Sequence, residues 1–130
     1  MNEKNVGKEF AFPKDFLWGA DTSSHQVEGN NINNDWWEWE QTQSPSMRSG
    51  LACDQWDRFE EDFKLAKTLR HTSHRFSIEW SRIEPQEGRF DNGALDHYAQ
   101  VICSLRSKGI EPVVTLQHFT LPLWLAHQGG

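Results

Sequence analysis

Val113-Val114-Thr115-Leu116-Gln117-His118-Phe119-Thr120-Leu121-Pro122-Leu123-Trp124 opens as a run of β-branched and apolar residues and closes in a turn. The run is too short for a helix, and Pro112 in front of it suits the first position of a strand. Gln117 and His118 arrive where the apolar residues stop, and Phe119-Thr120-Leu121-Pro122 bends the chain. An imidazole therefore stands at the C-terminal mouth of a buried strand, which in parallel α/β folds is where ligands bind. A loop histidine also serves to satisfy backbone groups, so His118 has to be weighed with the rest of the chain.

Immediately upstream, Asp91-Asn92-Gly93 opens a helix whose apolar stripe is Leu95, Tyr98, Ile102 and Leu105. Arg106 and Lys108 fall in its last turn and Gly109 supplies the C-cap. A turn-forming loop, residues 83–88, precedes it. Residues 74–80 alternate as a strand, with Phe76, Ile78 and Trp80 on one face and Arg75, Ser77 and Glu79 on the other. An arginine inside a strand needs an anion, either Glu79 or a carboxylate from elsewhere in the fold. A further helix starts at Asp54 as N-cap. Asp57, Glu60, Glu61 and Asp62 lie early in it and Lys64 and Lys67 late, and Phe59, Phe63, Ala66 and Leu69 make its inner stripe. Arg70 stands where a C-terminal glycine is expected, at a cost of about 1 kcal/mol if the position is left-handed.

Residues 16–20, Phe-Leu-Trp-Gly-Ala, make the first strand, which dissolves into Asp21-Thr22-Ser23-Ser24. After His25-Gln26-Val27-Glu28-Gly29 and an Asn-rich loop comes Asp35-Trp36-Trp37-Glu38-Trp39-Glu40. This segment reads as a short amphipathic turn packed on the core, since dense Trp is usually buried; the other reading is a rim that holds sugar. Residues 41–53 have no period and form a loop. Strand, helix, strand, helix, strand is the order of a parallel α/β fold.

Seven Trp and eight Phe in 130 residues suit a large core and equally a surface on which pyranose rings stack. A net charge of −6 without a basic stripe points away from nucleic acid and anionic membranes and towards neutral small molecules. Cys53 and Cys103 are too few for a disulfide framework, and the start MNEKNVGKEF has no apolar core of a signal peptide, so a cytoplasmic location is expected. No apolar run approaches the roughly 20 residues of a membrane span. There is no GxGxxG or GxxxxGK(S/T) phosphate loop, and His71-x-x-His74 is too weak a pattern for a metal site. The expectation is a protein without cofactor or metal.

FLWGADTSSHQVEG, the Asp-Trp-Trp segment, HRFSIEWSRIEPQEG and PVVTLQHFTLPLWL, in this order and spacing, resemble the N-terminal part of glycoside hydrolase family one, over about residues 10–130. The likeness is to β-glucosidases and related β-glycosidases. It implies a (β/α)8 barrel, of which this chain would supply strands one to three and the two helices between them. Such barrels need about 250 residues, so residues 1–130 are expected to be the N-terminal portion of one truncated domain. By position, the resemblance makes Gln26 a hydrogen-bonding partner of the innermost sugar, with His118 contacting the same sugar. Phe119 stands where many members have Trp. Arg75 matches the arginine that keeps the catalytic nucleophile ionised. Retaining glycosidases need two carboxyl groups about 5 Å apart, and in the family both follow Gly130, in Asn-Glu-Pro and Glu-Asn-Gly motifs that this chain lacks. The expected partners are a β-glycoside or oligosaccharide and the remainder of the barrel, or further copies of the chain if it is expressed alone. The alternative is a catalytically inactive remnant that binds carbohydrate or protein.

Overall fold

The computed structural model describes residues 10–130; most of the polar leader lies outside them. In chain order the elements are β1 (Gly19–Asp21), α1 (Ser24–Val27), α2 (Asp35–Glu40), α3 (Gln55–Thr68), β2 (Ser73–Ser77), α4 (Trp80–Ile83), α5 (Asn92–Ser107), β3 (Glu111–Thr115) and α6 (Leu123–Ala126). The strands form one parallel sheet in the order β1-β2-β3, with Asp21 opposite Arg75 and Arg75 opposite Val113. Two long crossovers, carrying α3 and α5, make this pairing possible, as parallel strands require. Gly19 fixes the β1 side, because a β-carbon there would collide with the Ser73 carbonyl oxygen.

Phe63 and Ala66 from α3, Phe76 from β2, Tyr98, Val101 and Leu105 from α5, and Ile110 form the buried core between the helices and one sheet face. The opposite face, on which Arg75 and Val113 lie side by side, is open: Val113 is 44% exposed. The stripes read from the sequence hold in their middles and fail at their ends. Leu69 and Leu95 are exposed, Leu69 because the helix proper ends one residue earlier.

Four expectations are corrected. The first strand begins at Gly19 and not at Phe16, since pairing starts only where the Thr72 and Ser73 N–H groups reach the Trp18 carbonyl. Phe12, Phe16 and Trp18 instead pack on one another, with ring centroids 4.6–4.7 Å apart. The second strand stops at Ser77: the Glu79 N–H donates to the Tyr98 hydroxyl at 2.8 Å, and Trp80 begins α4. The third strand takes in Pro112 as an internal residue. Asp54 precedes α3 in a left-handed conformation (φ 57°) and its side chain caps nothing. The Asp91 carboxylate, in contrast, accepts the Gly93 and Ala94 N–H groups at the start of α5.

The two long helices end in the same way with different residues. At α5 the Ile110 N–H donates to Leu105 O and the Gly109 N–H to Arg106 O, with Gly109 at φ 69°. At α3 the His71 N–H donates to Ala66 O and the Arg70 N–H to Lys67 O, with Arg70 at φ 63°. Both are Schellman motifs, whose left-handed position favours glycine. Arg70→Gly should therefore raise stability by about 1 kcal/mol, read as a higher urea midpoint; an unchanged or lower midpoint would count against strain at Arg70.

Candidate functional site

The C-terminal ends of the strands lead into loops that meet around a cleft of about 330 Å³, lined by Ser23, His25, Gln26, Trp36, His118, Phe119 and Thr120. Gln26 comes from α1, whose N–H groups turn back onto the Ser23 and Ser24 carbonyls directly after β1. His118 and Phe119 follow β3. The structure thus brings three of the residues singled out in the sequence, Gln26, His118 and Phe119, to one place.

The fourth, Arg75, lies one hydrogen bond behind them. Its Nη2 donates to His118 Nδ1 at 2.8 Å, its Nε to Thr115 Oγ1 at 2.7 Å and its Nη1 to the Thr22 carbonyl at 3.2 Å. Glu79 is not its partner. The nearest carboxylate among the described residues is Asp21, 3.8 Å away and 80% exposed. A guanidinium can only donate, so His118 Nδ1 carries the lone pair and the neutral ring carries its proton on Nε2. Gln26 Oε1 accepts from the Ser23 hydroxyl at 2.6 Å, which leaves its NH₂ group to donate. The cleft therefore offers two side-chain N–H donors beside aromatic rings, an arrangement suited to a neutral, acceptor-rich, flat-faced ligand.

Trp36 is the aromatic that the packing reading misplaced. Trp36 and Trp39 are each about half exposed and lie on one side of α2, 5.4 Å apart. What anchors the helix is polar: the Asn34 side chain accepts the Trp37 N–H, and Asn34 Nδ2 donates to His25 Nδ1 at 3.1 Å. His25 Nε2 then faces Glu40 Oε1 at 3.0 Å. Burial pulls the Glu40 carboxyl up, but the bonds from His25 and from the Ser49 N–H and hydroxyl outweigh it and hold the group below its ordinary value. The sign in the sequence was the spacing of Trp36 and Trp39, three residues apart on a helix whose buried position is Glu40.

Two further glutamates lie beneath the cleft. Glu79 is fully buried and accepts from Ser24 Oγ (2.9 Å), Ser81 Oγ (2.8 Å), Asn34 Nδ2 (3.4 Å) and Thr120 Oγ1 (3.2 Å to each carboxylate oxygen). Glu28, also buried, accepts from the Tyr98 hydroxyl at 2.7 Å, Arg82 Nε at 3.0 Å and Asn31 Nδ2 at 3.2 Å. Nothing in the strand and helix periods marks these contacts, which join residues up to 70 positions apart.

The sequence profile of glycosyl hydrolase family 1 matches residues 8–130. The chain belongs to glycosyl hydrolase family 1. This family 1 chain is 37% identical over 129 residues to beta-glucosidase A of Thermotoga maritima, covering 92% of itself and 29% of that protein. It is 38% identical to a 6-phospho-beta-glucosidase of Bacillus subtilis, covering 95% of itself and 29% of that protein. It superposes on a beta-glycosidase from Pyrococcus horikoshii with a TM-score of 0.86 at 49% identity, over 92% of the chain and 28% of that structure. It spans about 29% of the length of the curated relatives it matches. The three parallel strands and the helices on their outer face are thus a partial α/β barrel. Among the described residues no helix is long and apolar enough to cross a membrane, and both cysteines are free and exposed.

Burial pushes the Glu28 carboxyl up to about 7, against the Tyr98 bond, the Arg82 charge and the Asn31 amide, which all favour the anion. With a folded value above the unfolded 4.5, the native state binds more proton across that window, so this group's contribution to stability falls as pH rises from 4.5 to 7. The loss is about 3 kcal/mol in full. Glu28→Gln should flatten that part of the stability profile, followed by urea midpoints of tryptophan fluorescence at several pH values; parallel profiles for variant and wild type would contradict the assignment.

Proposed function

We propose that the chain is the N-terminal portion of a single (β/α)8 domain of a retaining β-glycosidase acting on terminal β-linked glucosides or related glycosides. The observation that carries this is the convergence of the Gln26 amide and the His118 Nε2–H on one aromatic-walled cleft at the C-terminal end of a family 1 sheet. In this reading Gln26 and His118 hold hydroxyls of the innermost sugar ring and Phe119 supplies an apolar wall without the N–H that an indole would add. Relatives named beta-glucosidase and 6-phospho-beta-glucosidase support the class of substrate, and their names differ on whether the glycone carries phosphate.

The two catalytic carboxyl groups are proposed to lie beyond Gly130. Arg75 would stand beside the nucleophile: it faces the cleft side of β2 and its bonds within the chain are to neutral acceptors, with Asp21 only a long contact. A guanidinium so placed favours an ionised carboxylate next to it. No cofactor takes part.

The test has two arms. The 130 residues alone should not turn over p-nitrophenyl β-D-glucoside. In a complete barrel carrying these residues, Gln26→Ala and His118→Ala should each lower kcat/KM by a few kcal/mol of transition-state binding, with the melting temperature little changed. Turnover by the short chain that is lost on mutating one of its own acids, or unchanged kcat/KM with a lowered melting temperature, would overturn the reading.

The 130 residues expressed alone should self-associate. Val113 is exposed on the open sheet face, Phe119 beside it, and Leu116 and Phe90 on the helix side of the sheet margin, and apolar area of that kind favours association. Light scattering should report oligomers at micromolar concentration; a monodisperse monomer would favour the catalytically inactive binding module instead.

A further inference from the structure

Phe119 sits in a backbone conformation that phenylalanine rarely adopts. Its φ is 63°, and the Thr120 N–H donates back to the His118 carbonyl at 2.8 Å, so residues 118–120 form a three-residue turn with positive φ at its centre. That turn is the rare, strained form of the γ-turn. For a bulky residue it is strained and persists only where the surroundings hold it. The ring gains little by burial in return, being 79% exposed.

The surroundings are specific. On one side Arg75 Nη2 grips His118 Nδ1. On the other, the Thr120 hydroxyl, buried to 6% exposure, reaches both oxygens of Glu79 at 3.2 Å. Glu79 is in turn held by Ser24 and Asn34, from two other segments, and by Ser81, two residues along its own. Past Thr120 the chain is pinned again: Leu121 N–H donates to Asp35 Oδ1 at 2.9 Å and the Asp35 N–H to Leu121 O at 3.0 Å. Arg75 holds the turn's first residue and Asp35 what comes after it. Only the Thr120–Glu79 contact acts on the turn's own third residue from below.

We infer that Glu79 is a positioning residue that, through the Thr120 hydroxyl, holds the strained 118–120 turn and so aims Phe119 and His118 into the cleft. Glu79 is not among the residues that line the cleft. Its purpose in this account rests on the cleft being the glycone site, but the clamp is a property of the protein without ligand. It can therefore fail or stand independently of the sugar-binding reading.

The test is hydrogen–deuterium exchange of a complete barrel carrying these residues, resolved at the Thr120 amide and corrected for intrinsic exchange rates. Thr120→Val keeps the shape and removes the hydroxyl. It should lower protection of the residue-120 amide about tenfold, the worth of one ordinary hydrogen bond, with α3 and α5 unchanged. Thr120→Ser, which keeps the hydroxyl, should retain protection. Glu79→Gln, which keeps one of the two acceptor oxygens and loses the charge, should lower protection less than Thr120→Val does. Adding Phe119→Gly to Thr120→Val should restore protection, because glycine takes φ 63° without strain; a general structural role for Thr120 predicts no such rescue. Unchanged protection in Thr120→Val, or no recovery with Phe119→Gly, would overturn the inference, even if Glu79→Gln were to unfold the chain. Normal exchange behaviour combined with absent sugar binding in a complete barrel would instead tell against the glycone site.

Discussion

A carboxylate taken wholly out of water must be met by donors or by a cation, because its desolvation otherwise costs several kcal/mol. Among the described residues no cation contacts Glu79, and its donors there are three hydroxyls and one amide. Ser24 belongs to α1, Asn34 to the start of α2, Ser81 to α4 and Thr120 to the loop after β3. Ser81 is local to Glu79, but Ser24, Asn34 and Thr120 lie 41 to 55 positions from it, and satisfying one buried side chain brings those segments to one point. The cleft is the outer surface of that meeting point.

A second polar centre ties the same loops to the helices. The Tyr98 hydroxyl accepts the Glu79 N–H and donates to Glu28. Burial pushes its own ionisation far upward, so it remains a donor throughout the working pH range. Arg82, bonded to Glu28 and to the Gly29 carbonyl, lies over the Trp56 ring at 3.9 Å, and the other stacking partner of Trp56 is His97, with centroids 3.7 Å apart. Burial, and then the Arg82 charge, hold His97 below its usual value, which keeps that ring neutral against the indole. One side chain of α5, Tyr98, therefore touches both glutamates, and the placement of the loops depends on how the helices pack.

What could be read from the sequence follows the range of the interactions. Helices α3 and α5 and their ends are set by contacts within a few residues, and Gly109 and the out-of-place Arg70 were both legible for that reason. Strand centres were legible from period-two alternation. Strand ends were not, because they depend on partners far away: Trp80 looks like an inward strand residue until Tyr98 takes the Glu79 N–H and the chain coils into α4. Glu79 was weighed as a partner for Arg75 because the two share a strand face on paper, whereas the strand has ended before it is reached. Gln26, His118 and Phe119 were recognised through the family motifs; nothing local in the sequence says that Gln26, 92 positions from His118, shares its cleft. The left-handed φ of Phe119 left no trace in composition at all.

Pro112 bears on how anything can be added to the sheet. The Glu111 N–H donates to Thr72 O and the Ile78 N–H to Thr115 O, so in β3 the odd-numbered residues turn their backbone groups towards β2. The even-numbered ones, Pro112 and Val114 in the strand and Leu116 after it, turn theirs outward. Proline has no N–H to give. The free margin of β3 is thus blunt at its lower end, and its first outward donor is Val114, close to the cleft. Pro112 still offers its carbonyl, so the lower margin of β3 can accept but not donate. The first main-chain bond that the margin itself can give is at Val114, towards the end where His118 lies.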